Sequence, residues 1–142
     1  MDFLTTYPVQ EVTKQDAITY VSLLISLAEL DGMDQDETDA IKKLIENNNW
    51  ENDVFDLALA KGNVSIESLN LTQDFIEVVG PYIIRDLLVI AYISNGFSNA
   101  ENEHIQLISK KFGVSQENYR RINQAINSQY EAISNWSHAI SI

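Results

Sequence analysis

The residues best suited to chemistry in this 142-residue chain are carboxylates grouped between positions 29 and 39. This segment holds six acids and no lysine or arginine, and the acids are Glu29, Asp31, Asp34, Asp36, Glu37 and Asp39. Carboxylate oxygens are preferred ligands of Ca²⁺ and Mg²⁺. The same charges attract lysine and arginine side chains of another protein. The segment therefore predicts a site that binds positive charge.

Four of these acids, Asp31, Asp34, Asp36 and Glu37, fall within one tight turn and are predicted to bind a divalent cation such as Ca²⁺ or Mg²⁺. The spacing is not that of an EF-hand, because the pattern Asp-x-Asp/Asn-x-Asp/Asn-Gly and its distal glutamate are absent. A structural explanation stays open. Asp34 and Glu37 have capping-box spacing, and Gly32 suits the end of the preceding helix.

A weaker copy of this pattern lies 64 positions further along, where Gly96 corresponds to Gly32. The same offset relates three further pairs of turn residues, namely Asn95 to Asp31, Ser98 to Asp34 and Glu101 to Glu37. Asn95 and Ser98 lack the negative charge of their counterparts. A second cation site at Asn95, Ser98 and Glu101 is therefore predicted to be the weaker of the two.

Apolar residues spaced three and four positions apart dominate the chain and predict an all-α fold of about seven helices. Because each copy of the turn joins two such helices, we expect a compact bundle with a pseudo-two-fold repeat of a helix, an Asx-Gly turn and a helix. No segment alternates like a strand, and no linker divides the chain. We predict one domain over residues 1–142, with a core at about 13–128 and a C-terminal extension at 129–142.

Capping and helix-breaking residues predict where the helices begin and end. Thr13 is expected to start the first helix, residues 47–49 to stop the second, and a third to run from about residue 50 or 51 to 61. A fourth helix is predicted to end at Gly80, and a fifth to begin at Pro81, since proline suits a first helical turn. Arg85 and Asp86 are interpreted as an internal ion pair or as bonded to the preceding turn.

The two turns together resemble the TerB-like family, which is named after a tellurite-resistance protein. The resemblance lies in residues 28–37 (AELDGMDQDE), in residues 91–101 (AYISNGFSNAE) and in the later FGVS at 112–115, and it spans roughly residues 16–126. It implies an all-α domain that acts in tellurite resistance or stress response without enzymatic activity. It also implies that the acidic residues of the motif bind a divalent metal.

The net charge of −12 opposes binding to nucleic acid, because phosphate groups would be repelled. No apolar run is long enough to insert into a membrane, and the start of the chain lacks the basic region of a signal peptide. The absence of cysteine excludes disulfides and thiolate sites. We therefore expect a cytoplasmic protein.

A non-enzymatic stress-response or scaffold role is the function that these features favour. No nucleophile elbow, phosphate-binding loop or dinucleotide fingerprint is present, and His104 and His138 stand alone in sequence. The expected partner is another protein, and the net charge of −12 favours a basic one. The alternative is an acidic interaction module, such as an inhibitor, immunity or decoy protein for a basic partner.

Two further groups of residues have an open interpretation. The aromatic residues Tyr92, Phe97 and Trp136 are either core residues or surface anchors for a partner. A basic cluster around residue 113, formed by Lys110, Lys111, Arg120 and Arg121, is opposite in sign to the rest of the chain. It either compensates a helix dipole or contacts an acidic partner.

Overall fold

The protein is all-helical in the computed structural model, which describes residues 12–62, 71–93 and 98–140. These residues form six α-helices and one short 3₁₀ turn, and none of them lies in a strand. The elements are α1 (Lys14–Ala28), the 3₁₀ turn (Glu29–Asp31), α2 (Gln35–Asn47), α3 (Val54–Ala60), α4 (Gln73–Ile93), α5 (Asn99–Lys111) and α6 (Gln116–Ile140). The predicted all-α class is confirmed.

Helices α1 and α4 form the centre of the bundle. They pack against each other, α3 packs on α1, and α5 and α6 pack on α4. Every residue from 20 to 28 of α1 is buried, and so is every residue from 86 to 91 of α4. Because these stretches are apolar around most of their circumference, they can be covered on all sides, as a central helix requires.

The helix ends follow the capping residues that the sequence predicts. Thr13 precedes α1, and its Oγ1 accepts the backbone N–H of Asp16 at 3.1 Å. Helix α2 ends at Asn47, and Asn49 adopts a φ of 57°, a left-handed value that asparagine tolerates. Gly113 has a φ of 69° and ends α5, where the Val114 N–H bonds to the Ser109 carbonyl at 2.9 Å.

The predicted helix boundary at Gly80 and Pro81 is wrong, because α4 runs through both residues without interruption. Gly80 is buried against the turn between α5 and α6, where an added Cβ would lie 3.7 Å from the Phe112 carbonyl oxygen. Phe75 and Val79 before the pair and Ile83 after it all enter the core. Their burial on one side of a single helix outweighs the local preference for a break.

The last helix continues beyond the predicted core and includes most of the predicted C-terminal extension. Of the side chains in α6, Ile126 is fully buried, while Tyr130 stacks on Tyr92 with 5.3 Å between the ring centres. Trp136 is 67% exposed and Ile140 is 74% exposed. The final turns of α6 are therefore solvated on all sides.

Two other helix predictions have different outcomes. The third helix is shorter than predicted and occupies Val54–Ala60. The start of the predicted fourth helix, near residue 65, lies outside the described residues. None of the helices in the described ranges is long and apolar enough to span a bilayer.

Candidate functional site

The first Asx-Gly turn connects α1 to α2 and carries the predicted site. After α1 ends, the 3₁₀ turn leads to Gly32, whose φ of 79° is a left-handed value that favours glycine. Asp34 is the N-cap of α2, and its Oδ1 accepts the Glu37 N–H at 2.8 Å. In return, Glu37 Oε1 accepts the Asp34 N–H at 3.1 Å. The capping box predicted from the sequence is confirmed.

Five acids of this segment are exposed, and we refer to them as the acidic face: Glu29, Asp31, Asp34, Asp36 and Asp39. Among the described residues, none of the five forms an ion pair. Asp39 accepts a hydrogen bond of 2.7 Å from Gln35 Nε2. Leu30 lies between two of these acids in sequence and is 44% exposed. The face therefore combines uncompensated negative charge with an accessible apolar side chain.

The four predicted metal ligands differ in exposure and in local role. Within residues 12–62, 71–93 and 98–140, no three Asp, Glu or His side chains are grouped so that they could hold a metal ion. Of the four predicted ligands, Asp31 and Asp36 are exposed, Asp34 caps α2, and Glu37 is only 3% exposed. Three of the four predicted ligands are therefore accessible to positive charge, and the fourth is buried.

Helix α5 begins with the same arrangement of hydrogen bonds as α2. Ser98 Oγ accepts the Glu101 N–H at 3.1 Å, and Glu101 Oε1 accepts the Ser98 N–H at 3.0 Å. This second capping box is also confirmed, and Glu101 is 2% exposed. Asn95 and Phe97, together with Gly96 of the repeat, lie outside the described residues. The part of the second site that can be described is thus a helix cap.

The two buried capping glutamates interact across the bundle. Burial raises the pKa of Glu37, and the negative charges of Asp34 and Glu101 raise it further, while the hydrogen bond from the Asp34 backbone opposes the shift. The electrostatic effect of Glu101 on Glu37 links the starts of α2 and α5, which are 64 positions apart in the repeat. The fold therefore relates the two capping boxes in space, and sequence spacing alone does not reveal that.

A buried polar cluster joins α1 to α4. Arg85 Nε donates to Asp86 Oδ1 at 2.8 Å, and the Tyr20 hydroxyl donates to Asp86 Oδ2. Asp86 is 0% exposed, and Trp50 contacts the Tyr20 ring edge-on with 5.5 Å between ring centres. The internal ion pair is one of the two sequence interpretations of Arg85 and Asp86. The contribution of Tyr20 was missed, since nothing in the pattern pairs residues 66 positions apart.

Burial determines the chemistry of this cluster. It raises the pKa of Asp86, and the Arg85 charge and the hydrogen bonds from Arg85 and Tyr20 partly oppose that shift. Burial also raises the pKa of Tyr20, and the negative charge of Asp86 adds to the increase. Because Tyr20 and Asp86 are inaccessible, the cluster is suited to holding α1 against α4 and not to contact with a substrate.

The two histidines lie on different helices, His104 on α5 and His138 on α6. His104 is half-buried, and its Nε2 has no hydrogen-bond partner among the described residues. Burial lowers its pKa, so the neutral imidazole is favoured. His138 is exposed near the end of α6. The residues for which coordinates are described thus bring neither histidine into a metal-binding group.

Comparisons with known proteins do not identify this chain. No protein-family model, no curated protein and no solved structure matches it. The resemblance to the TerB-like family rests on sequence alone, namely on the two turns and on the FGVS at 112–115.

Proposed function

We propose that this chain is a non-catalytic, TerB-like scaffold module of a stress-response system, and that its acidic face binds a basic segment of another protein. The observation that carries the proposal is the set of exposed acids around Leu30, which form no ion pair with any residue that the structure describes. Lysine and arginine side chains of a partner would relieve the mutual repulsion of these acids. Leu30 would supply the apolar contact that charge alone lacks.

The pseudo-two-fold repeat is part of this proposal. Each half contributes an apolar central helix, α1 or α4, and the next described helix, α2 or α5, begins with a capping box. The asymmetry between the halves supports assigning the function to the first turn. Asp34 and Asp36 in the first half correspond to Ser98 and Ala100 in the second, so the negative charge is concentrated on the first turn.

A binding measurement on matched charge variants tests the acidic face. The probe is a fluorescein-labelled peptide in which one leucine is flanked by lysines. The variant Asp31→Asn/Asp36→Asn/Asp39→Asn removes three exposed charges and leaves both residues of the capping box in place. If each lost contact contributes what exposed ion pairs usually do, we expect the dissociation constant to rise by about threefold to a hundredfold.

The control is the variant Glu46→Gln/Asp56→Asn/Glu103→Gln, which removes three exposed carboxylates outside the acidic face. It changes the net charge equally and should weaken binding much less. Leu30→Ser, tested with the same peptide, should weaken binding without any change in charge. Equal weakening by the two triple variants would mean that only the overall charge is recognised, and the proposal would then be wrong.

A divalent cation is the second candidate ligand, and the electrostatic effect of Glu101 on Glu37 supports it. A bound Ca²⁺ or Mg²⁺ would offset the repulsion between buried carboxylates and would stabilise the folded state. We expect millimolar Ca²⁺ or Mg²⁺ to raise the melting temperature, and Asp31→Asn or Glu101→Gln to reduce that rise. A melting temperature that is unaffected by both metals would exclude this candidate.

A further inference from the structure

A groove of about 630 Å³ lies between the first half of α4, the end of α5 and the start of α6. Its volume is within the range of about 300–1,000 Å³ that is common for ligand sites. The groove has an apolar floor formed by Ile76, Phe112, Val114 and Ile122. Its rim carries three exposed cations, namely Lys110, Lys111 and Arg121. We call this feature the basic groove.

The basic groove is an exception to the charge of the molecule. Residues 104–130 hold four cations (Lys110, Lys111, Arg120 and Arg121) and one carboxylate (Glu117), a net charge of +3. Because the whole chain carries −12, the remaining residues carry −15. The charge of this region is therefore opposite in sign to that of its surroundings.

The cations of the rim are available for a ligand. Within the described part of the chain, Lys110 and Lys111 form no ion pair, and Arg121 pairs with Glu117 at 2.9 Å on the exposed surface of α6. An exposed pair of this kind contributes little and is easily exchanged. On the opposite wall, Glu77 accepts a hydrogen bond from Gln73 at 3.2 Å. Carboxylates of a ligand would therefore lie on the α5–α6 side.

We propose that the basic groove binds an acidic peptide segment of a partner protein, with one bulky apolar side chain on the floor and carboxylates against Lys110, Lys111 and Arg121. The groove is open, since most of its rim is exposed, and an extended segment fits it better than an enclosed small molecule. At physiological salt, charges are screened over about 8 Å, so a short acidic segment experiences mainly the local cations. A polyanion or an anionic membrane would extend over the acidic remainder of the molecule.

The test measures the fluorescence anisotropy of a labelled peptide in which one leucine is flanked on each side by two glutamates. The variant Lys111→Gln/Arg121→Gln removes two rim charges. The control Lys61→Gln/Arg120→Gln makes the same change in net charge at exposed positions that do not line the groove. We expect the groove variant to weaken binding by about two- to thirtyfold and the control to weaken it much less.

A second peptide, with serine in place of leucine, tests the apolar floor. It should bind more weakly to the wild-type protein, and Ile122→Ser should reduce the difference between the two peptides. The proposal is overturned if neither peptide binds, if both charge variants weaken binding equally, or if the serine peptide binds as well as the leucine peptide.

Two other occupants of the groove would give different experimental results. Sedimentation of phosphatidylserine vesicles with the protein, in place of peptide binding, would identify a membrane surface. Concentration-dependent self-association that Lys111→Gln/Arg121→Gln abolishes would identify a second copy of this chain, with Leu30 and its flanking acids in the groove. Either result would overturn the assignment to an acidic segment of a partner protein.

Discussion

Asp86 is a fully buried carboxylate whose hydrogen-bond donors come from two directions, Arg85 beside it on α4 and Tyr20 on α1. Hydrogen bonds to charged groups usually contribute about 1.5–3 kcal/mol each. We expect Tyr20→Phe to lower the free energy of unfolding by that amount, because it leaves the charge with one donor fewer. Urea denaturation at neutral pH measures the change.

The matched control is Tyr82→Phe, which removes a hydroxyl from the half-buried tyrosine whose ring lies 5.2 Å from the Arg85 guanidinium carbon. The ring remains for Arg85, so the change should be within about 0.5 kcal/mol. Equal losses in the two variants would show that the Tyr20 bond to Asp86 has no special contribution.

Glu37 gives the stability a defined pH dependence. Its pKa is raised in the folded state, mainly by burial, so the folded protein holds this proton more tightly than the unfolded chain does. Stability from this group is therefore highest below the unfolded pKa and falls as pH rises through the folded pKa. We expect Glu37→Gln to remove this fall, since glutamine can still accept the Asp34 N–H in a capping box.

The measurement is the free energy of unfolding from about pH 4 to pH 7, a window that begins near the ordinary pKa of glutamate. Asp36→Asn, on the exposed side of the same turn, is the control and should leave the slope contributed by Glu37 intact. A variant Glu37→Gln that is less stable than the wild type at pH 7 would contradict the inferred cost of the buried charge.

Hydrogen bonds between residues three positions apart were predictable from the sequence, and contacts between distant residues were not. The pairs Asp34 with Glu37 and Ser98 with Glu101 were recognised, because a capping box depends on local geometry alone. The bond from Tyr20 to Asp86 and the effect of Glu101 on Glu37 depend on how helices pack. Local patterns contain no information about that packing.

Among the helices, the difference between local patterns and packing explains why the predicted boundary at Pro81 is wrong. A Gly-Pro pair is a reliable local sign of a helix end, yet α4 continues because its apolar residues on both sides of the pair are needed in the core. The helix is continuous although Pro81 lacks the N–H that would bond to the carbonyl of Glu77. At Ser115, by contrast, the helix begins where a capping residue favours it. Ser115 Oγ accepts the Asn118 N–H at 3.1 Å, and α6 starts at the next residue.

The hydrogen bond missing at Pro81 should lower the stability of the folded protein. Proline is less favourable than alanine in a helix interior by about 3 kcal/mol. We expect Pro81→Ala to raise the free energy of unfolding by an amount up to that value, because it restores the missing donor at an exposed position. Chemical denaturation provides the measurement.

Pro81→Gly separates the two contributions to this effect. It restores the N–H but adds backbone freedom, and it should be about 1 kcal/mol less stable than Pro81→Ala. A loss of stability in Pro81→Ala would mean that the proline is held by packing that outweighs its missing hydrogen bond.

For the whole molecule, the dominant physical feature is the separation of charge between an acidic face at the α1–α2 turn and the basic groove at the α5–α6 turn. With a net charge of −12, repulsion within the folded state opposes compactness. Salt screens this repulsion, since the Debye length falls from about 30 Å at 0.01 M to about 10 Å at 0.1 M. We therefore expect the melting temperature to rise with NaCl over this range.

The acidic face should contribute more to this salt dependence than its share of the charge, because its members fall within residues 29–39, a segment without lysine or arginine. The variant Asp31→Asn/Asp36→Asn/Asp39→Asn should accordingly flatten the rise in melting temperature more than Glu46→Gln/Asp56→Asn/Glu103→Gln does, although both remove three charges. Differential scanning calorimetry at matched pH measures both slopes. Equal slopes would show that repulsion is spread evenly over the surface, and the self-repulsion that a basic partner is proposed to relieve would then lose its support.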